Sequence, residues 1–216
     1  MLHEDIRKAL LQTVVKLRQD DMIPLNSGNV SCRASAEHVV ITPGSVSYDH
    51  MTPDDLVVID HHGAVVEGAY RPSSETPMHL TIYHNMAKAA AVVHTHSPYA
   101  MAFATVGRSI PIICTEGLAL RGPVPVAEYA CPGTEAQGRV AVLAMKGPPF
   151  VTGTLLKNHG VLTIGTTLDE AYETACRIEI IAKVYFLALQ IGDPDILTED
   201  RINEIKATYL LRKSSD

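Results

Sequence analysis

Residues 92–98 read VVHTHSP, an apolar run that ends in two histidines separated by a single threonine. In an extended strand alternate side chains face the same side, so His94 and His96 would project together while Thr95 points away. The next residues, SPYAMAFATV at 97–106, favour a new helix. The stretch therefore predicts a strand that delivers two imidazoles to one point.

Strands and amphipathic helices alternate along the rest of the chain. Apolar residues at spacings of three and four predict helices over about 4–20, 74–86, 134–146, 168–189 and 198–210. Alternating or continuous apolar runs predict strands at 39–42, 56–60 and 65–66, and two strand pieces on either side of 158–160. RSIPII at 108–113 favours extended structure. The early connections are short, so this part of the sheet is expected to be antiparallel. We predict an α/β fold in one domain over residues 1–216, an αβα sandwich around a largely antiparallel central sheet.

Composition limits the kinds of partner. The chain carries a net charge of −6 and no basic run, so nucleic acid is not expected as a partner. No segment resembles a membrane span, and the N-terminus lacks the apolar core of a secretory signal. The four cysteines form no CxxC pair and indicate free thiols. These features predict a cytoplasmic enzyme without membrane association.

Two imidazoles need a third ligand to form a catalytic zinc site, in which three protein ligands leave a fourth position open. His159 is the candidate, because it lies where the apolar strand TLLKN breaks into a turn before a glycine. Partly buried histidines that hydrogen-bond to protein explain the same spacing, so the pattern alone leaves both interpretations open. Five of the other histidines are assigned to polar surroundings or an exposed turn: His3, His38, His50, His61 and His62. His79 and His84 are assigned to the surface or core of a helix, with a supporting role behind the site as the alternative.

Five short motifs follow one another along the chain. They are SGNVSCR at 27–33, ITPGSVSY at 41–48, PSSETPMH at 72–79, AVVHTHSPYA at 91–100 and NHGVL at 158–162. In order and spacing they resemble the class II aldolase and sugar-phosphate epimerase family, and the match runs over roughly residues 5–210. The resemblance implies a class II aldolase-like fold and one Zn²⁺, or another divalent ion, per subunit, bound by His94, His96 and His159.

The same resemblance implies roles for further residues. Glu75 would be the acid/base, and Tyr209, donated by a neighbouring subunit, would handle the proton on the aldehyde oxygen; a tyrosine that packs a terminal helix is the alternative. A homotetramer with active sites at subunit interfaces is also implied. The phosphate of the substrate would be held by Gly28, Asn29, Gly44, Ser45, Ser73 and Ser74. Amides and hydroxyls can surround a phosphate without a lysine, although a loop and a helix cap explain the same residues.

The implied reaction is reversible cleavage of a ketose 1-phosphate, of the fuculose-1-phosphate type, into dihydroxyacetone phosphate and an aldehyde through an enediolate. A pentulose-phosphate 4-epimerase and a sugar-phosphate decarboxylase or dehydratase are alternatives, but the epimerase branch usually has Asp in place of Glu75. Two departures concern the substrate: CTEGLALRG at 114–122 lacks a tyrosine that an aldolase of the family carries there, and Gly44-Ser45 reverses the usual order. A non-catalytic module of the adducin-head type lacks the metal ligands, so the retained histidines argue against it.

Overall fold

The computed structural model describes residues 1–25 and 27–213, with side chains up to residue 209. Its strands are β1 (Asn29–Arg33), β2 (His38–Ile41), β3 (Val57–Asp60), β4 (Val65–Glu67), β5 (Ala91–Thr95), β6 (Val126–Ala127), β7 (Gly153–Leu156) and β8 (Gly160–Gly165). Its α-helices are α1 (Glu4–Gln19), α2 (Thr76–Asn85), α3 (Pro98–Val106), α4 (Glu135–Met145), α5 (Leu168–Ile191) and α6 (Glu199–Lys213).

The strands form one sheet in the order β4-β3-β2-β1-β5-β8-β7-β6. Every neighbouring pair is antiparallel except β6 and β7, which are parallel. The early hairpins therefore have the geometry that their short connections predict. β5 lies at the centre between β1 and β8, and its register places His94 opposite Asn29 on one side and Leu162 on the other.

Alternation along the strands divides the core between the two faces of the sheet. On one face, Val39 and Ile41 pack in the same cluster as Met78 of α2 and Met145 of α4. On the other face, Val40 packs with apolar residues of α1 and α5, including Leu10, Val14 and Ala171. A third cluster lies between α3, α5 and the end of the sheet. Helices thus cover both faces, and the predicted αβα sandwich around a largely antiparallel sheet is confirmed.

The segment between α3 and α4 is less regular than its sequence suggests. Residues 108–113 were expected to be extended, but they contribute only an isolated bridge from Ile110 to Val124. Prolines have no N–H to donate to a ladder, and Pro111, Pro123 and Pro125 interrupt both partners. A short 3₁₀ helix, Thr115–Leu120, follows instead of a strand.

Within the described part of the chain, none of the helices combines the length and the apolar character that a bilayer crossing requires.

Candidate active site

The two histidines of the central strand meet at its C-terminal end. His94 is completely buried, and its Nδ1–H donates to the carbonyl of Val161 on β8 at 2.8 Å. This bond fixes the tautomer and leaves the Nε2 lone pair directed toward the site. His96 lies one residue beyond β5, and its Nε2 is 3.0 Å from Nε2 of His94. The structure therefore brings this pair together as the alternation predicts.

His159 reaches the same point from the turn between β7 and β8. Asn158 adopts a left-handed conformation with φ of 58°, which asparagine tolerates better than most residues. The His159 N–H then donates to the carbonyl of Leu156 and closes the turn at 2.9 Å. The His159 ring centroid lies 4.7 Å from that of His94 and 4.9 Å from that of His96. One candidate ligand atom from each of the three rings lies within 4.8 Å of the others.

Gly160 provides the space in which the three rings meet. A Cβ at this position would collide with the carbonyl oxygen of Thr95 and lie 3.1 Å from Cε1 of His94. It would also lie 3.2 Å from Cδ2 of His96. Contacts this short require a shift of backbone or of the imidazoles, so the glycine after His159 is a requirement of the site.

Glu75 lies beside the imidazoles at the start of α2 and is 8% exposed. Its Oε2 is 3.1 Å from Nε2 of His94 and accepts a hydrogen bond of 2.7 Å from the Asn29 amide. Its Oε1 is 3.5 Å from Nε2 of His159 and has no hydrogen-bond partner among the described residues. Burial alone would raise the pKa of Glu75, but His94 and the Asn29 hydrogen bond outweigh it and hold the pKa well below its usual value.

The imidazoles are prepared to act as neutral ligands. Burial is the main cause that lowers the pKa of His96 and of His159 to about 4. Burial also acts to lower the pKa of His94, but the Glu75 carboxylate outweighs it, and the pKa of His94 is raised. Neutral imidazole is the form that binds a metal, so burial favours metal binding by His96 and His159, while the Glu75 carboxylate favours the protonated form of His94.

A divalent cation fits this arrangement. The buried Oε1 of Glu75 has acceptor capacity that no described group uses, and buried polar atoms in native proteins are normally satisfied. Two ring nitrogens only 3.0 Å apart, on His94 and His96, also suit a shared cation between them. Three nitrogen ligands favour zinc and other first-row transition metals over magnesium or calcium.

An open cavity of about 1100 Å³ lies in front of Glu75, His96 and His159. All six residues predicted to hold a phosphate line it: Gly28, Asn29, Gly44, Ser45, Ser73 and Ser74. Gly28 has φ of 81°, and its missing side chain allows the start of β1 to approach the His94 carbonyl, which a Cβ would meet at 2.7 Å. The buried Tyr48 hydroxyl donates to the Gly28 carbonyl at 2.7 Å and anchors this loop.

The second loop differs from expectation in one respect. The Gly44 N–H donates to the carbonyl of Arg71 at 3.0 Å, so Gly44 lines the cavity with its amide already engaged. Ser45 follows in a left-handed conformation with φ of 61°. The reversed order Gly44-Ser45 thus places a serine where the backbone favours glycine. Ser73 accepts a hydrogen bond from the Glu75 N–H on its Oγ and thereby supports the start of α2.

Two polar residues behind the site have contacts that motif spacing did not assign. Gln137 is 2% exposed, and its side-chain amide nitrogen lies 2.6 Å from Nδ1 of His159, while its oxygen accepts from the Gly133 N–H at 3.0 Å. The pattern Thr134-x-x-Gln137 is typical of a helix cap, which hid this contact. His79 was predicted to be a packed or exposed helix histidine, with a supporting role behind the site as the alternative, and its Nε2 contacts Oδ1 of Asn29. Its position four residues after Glu75 was the available signal.

Tyr209 lies elsewhere on the chain. It is 51% exposed on α6 and lines a separate surface cavity with Leu197, Arg201 and Ile205. It is not among the residues that line the cavity of Glu75 in the same chain. A role for Tyr209 in the site of a neighbouring subunit stays a prediction.

The sheet and the histidine cluster define a class of sugar-phosphate aldolases and epimerases. The model of the Class II Aldolase and Adducin N-terminal domain matches residues 8–186, and the chain belongs to this family. It is 32% identical to a 5-deoxy-D-ribulose 1-phosphate aldolase of Bacillus thuringiensis serovar kurstaki over 97% of each chain. It is also 32% identical to an L-ribulose-5-phosphate 4-epimerase of Salmonella paratyphi C, over 88% of this chain and 87% of the relative.

The fold agrees with that family. The structure of an L-fuculose 1-phosphate aldolase superposes with a TM-score of 0.87 at 31% identity, over 95% of this chain and 96% of that one. The family, the mixed α/β fold and the resemblance read from the five motifs are therefore confirmed.

Proposed function

We propose that the protein is a zinc-dependent aldolase that reversibly cleaves a ketose 1-phosphate into dihydroxyacetone phosphate and an aldehyde. The observation that carries this proposal is the convergence of three imidazoles and one buried carboxylate at the floor of a polar cavity. His94, His96 and His159 would hold the ion. When bound there, zinc supplies a Lewis acid that stabilises negative charge on the carbonyl and hydroxyl oxygens of the substrate.

Glu75 is proposed to move the proton at carbon. Its lowered pKa makes the resting group a carboxylate, and hence a base. In the direction of synthesis it takes a proton from the hydroxymethyl carbon next to the carbonyl of dihydroxyacetone phosphate. In the direction of cleavage it returns that proton to the same carbon of the enediolate. Departure of water when the substrate binds raises its pKa and makes this return easier.

The phosphate is proposed to bind in the cavity that Glu75, His96 and His159 also line. The hydroxyls of Ser45, Ser73 and Ser74 and the Asn29 amide are neutral donors that line it. Neutral donors suit a phosphate beside a carboxylate, because they bind the anion without a lysine that would pair with Glu75 instead. The engaged Gly44 amide leaves Ser45 as the donor from this loop.

We also propose a homotetramer in which Tyr209 acts in the site of a neighbouring subunit. The support within one chain is apolar surface on α5, where several large side chains are exposed: Ile180, Val184, Phe186, Leu187 and Ile191. Exposed apolar patches of this kind mark association surfaces. A symmetric assembly would bury them and bring α6 to another subunit's cavity.

An epimerase is the second candidate, and the relative from Salmonella paratyphi C supports it. A panel of substrates tests both. Zinc-loaded protein is incubated separately with ketose 1-phosphates, including those of fuculose and 5-deoxyribulose, and with pentulose 5-phosphates. Release of dihydroxyacetone phosphate supports the aldolase, and an inverted carbon at unchanged mass supports the epimerase. Carbon dioxide or water loss would indicate a decarboxylase or dehydratase, and no conversion by zinc-loaded protein would contradict the proposal.

A further inference from the structure

A chain of buried polar groups runs from Glu75 into the protein interior, beginning with Asn29 at the wall of the cavity. Asn29, Ser31, His79 and Tyr83 are all at most 6% exposed. Nε2 of His79 is 2.5 Å from Oδ1 of Asn29, and Nδ1 of His79 is 2.7 Å from Oγ of Ser31. The Ser31 hydroxyl is in turn 2.8 Å from the Tyr83 hydroxyl. The chain begins at Glu75, since Asn29 donates to that carboxylate.

The direction of each hydrogen bond in this chain follows from its two ends. The Glu75 carboxylate only accepts, so the NH₂ of Asn29 faces it and the amide oxygen of Asn29 faces His79. The proton of a neutral His79 must then lie on Nε2, where it can be donated to that oxygen. Nδ1 of His79 becomes an acceptor, so Ser31 donates to it and the Tyr83 hydroxyl donates to Ser31.

Burial keeps the imidazole neutral. His79 is completely buried, and this burial lowers its pKa to about 3. A neutral ring has one donor and one acceptor, which is what Asn29 and Ser31 require. Every hydrogen bond in the chain therefore donates toward Glu75.

We propose that His79 is a positioning residue that locks the Asn29 side chain with its NH₂ group toward Glu75 and the cavity. The inference rests on the proposed function, because the group it holds is the proposed acid/base. With the Asn29 amide reversed, its oxygen would face the carboxylate 2.7 Å away and two acceptors would repel. A protonated Nε2 on His79 excludes this arrangement, because the ring would then present a donor to a donor. Asn29 also lines the cavity, so the same lock orients the second N–H that it offers to the substrate.

His79→Phe removes both ring hydrogen bonds and keeps a flat ring of similar size. We expect kcat to fall roughly 10- to 100-fold, the range found when a hydrogen-bonded outer partner is lost, while zinc content stays at one per chain. His79→Gln, whose amide can still donate to Asn29, should recover part of kcat. Ile82→Val is the matched control, since this fully buried residue lies on the same helix and its aliphatic side chain takes no part in the hydrogen bonds of the chain. Its kcat should equal that of the unaltered protein.

A double-mutant cycle separates positioning from general damage. In an Asn29→Ala background there is no amide for His79 to orient, so His79→Phe should change kcat by less than about twofold. An equal loss of kcat from His79→Phe with and without Asn29 would overturn the proposal, as would unchanged kcat in the single variant. The substrate is whichever member of the panel the unaltered enzyme converts.

A spectroscopic measurement on the unaltered protein needs no turnover. Long-range ¹H–¹⁵N NMR of zinc-loaded protein reports the protonation of both His79 nitrogens, and His79→Gln identifies their signals by loss. We expect a protonated Nε2 and a bare Nδ1 between pH 6 and 8. A protonated Nδ1 would overturn the proposal whatever the reaction is. If the substrate panel gives no product but this tautomer is found, the proposed function fails while the lock on Asn29 stands.

Discussion

Neutralising Glu75 is the most informative perturbation of this site. Glu75→Gln keeps the shape of the side chain and can still accept from Asn29, but it cannot carry the proton. Loss of a positioned acid/base costs about 10² to 10⁴ in rate, which corresponds to roughly 3 to 5.5 kcal/mol of transition-state stabilisation. We therefore expect kcat to fall by that factor, with a smaller change in KM because the phosphate donors remain.

The metal should survive this substitution. The three imidazoles are the proposed ligands, and His94 keeps its hydrogen bond to the Val161 carbonyl. Because the Glu75 carboxylate raises the pKa of His94, its removal leaves more of that ring unprotonated near neutral pH. Zinc content should therefore be unchanged when measured by mass spectrometry of the metal after dialysis.

The assay couples dihydroxyacetone phosphate release to NADH oxidation under excess coupling enzyme. Glu173→Gln serves as the matched control, because this exposed residue pairs with Arg177 on the surface of α5 and should leave kcat unaltered. A Glu75→Gln variant with full zinc and kcat within about threefold of the unaltered enzyme would refute the assignment of the proton to Glu75.

Three further substitutions or conditions test the surrounding structure. Gly160→Ala should lower zinc occupancy and destabilise the fold by about 1 to 3 kcal/mol, because its Cβ would collide with the Thr95 carbonyl. Metal analysis and thermal unfolding measure these two effects. A variant with normal zinc content and normal stability would contradict the expectation. Ser45→Gly should raise the free energy of unfolding by up to about 1 kcal/mol, because it relieves a left-handed serine; urea titration measures the gain, and a loss would contradict the reasoning. Metal-free protein should lose stability as pH falls from 6.5 toward 4, because His79 takes up a proton in the unfolded chain, whereas the folded residue has a pKa of about 3 and does not. This imidazole alone contributes about 1.4 kcal/mol of unfolding free energy per pH unit. A pH slope of stability that His79→Phe leaves unchanged would refute this reasoning.

Local pattern was sufficient for most of the fold and for bringing the two histidines of the central strand together. The short apolar runs around Val40 and Val58 predict strands that are buried on both faces. The short connections between these strands predict antiparallel pairing. The histidines on either side of Thr95 needed only the period of a strand to be placed together. His159 was recognisable because a polar turn interrupts an apolar run, which is the geometry that the structure shows.

Other features depend on contacts between distant residues, which local pattern does not encode. That Asn29 faces His79 follows from the pairing of β1 with β5 and from the packing of α2 on that face. Gln137 has the spacing of a helix cap, and only the tertiary fold turns its amide toward His159. The prolines between α3 and α4 are visible in the sequence. Local pattern does not show, however, whether the chain there stays extended or forms a 3₁₀ helix.

The central position of β5 would give an ion bound by the three histidines a mechanical role. His94 and His96 end one strand, whereas His159 comes from a hairpin more than sixty positions later, and Glu75 comes from a helix on one face. An ion that joins these segments would cross-link the middle of the sheet to the β7–β8 hairpin. It would therefore stabilise only the folded chain, in which all of the segments are in place. Ligand present at 100 times its dissociation constant adds about 2.7 kcal/mol to the cost of unfolding. Chelation would therefore loosen the sheet from its centre outward, and the supply of metal in the cell would set the lifetime of the protein as well as its activity.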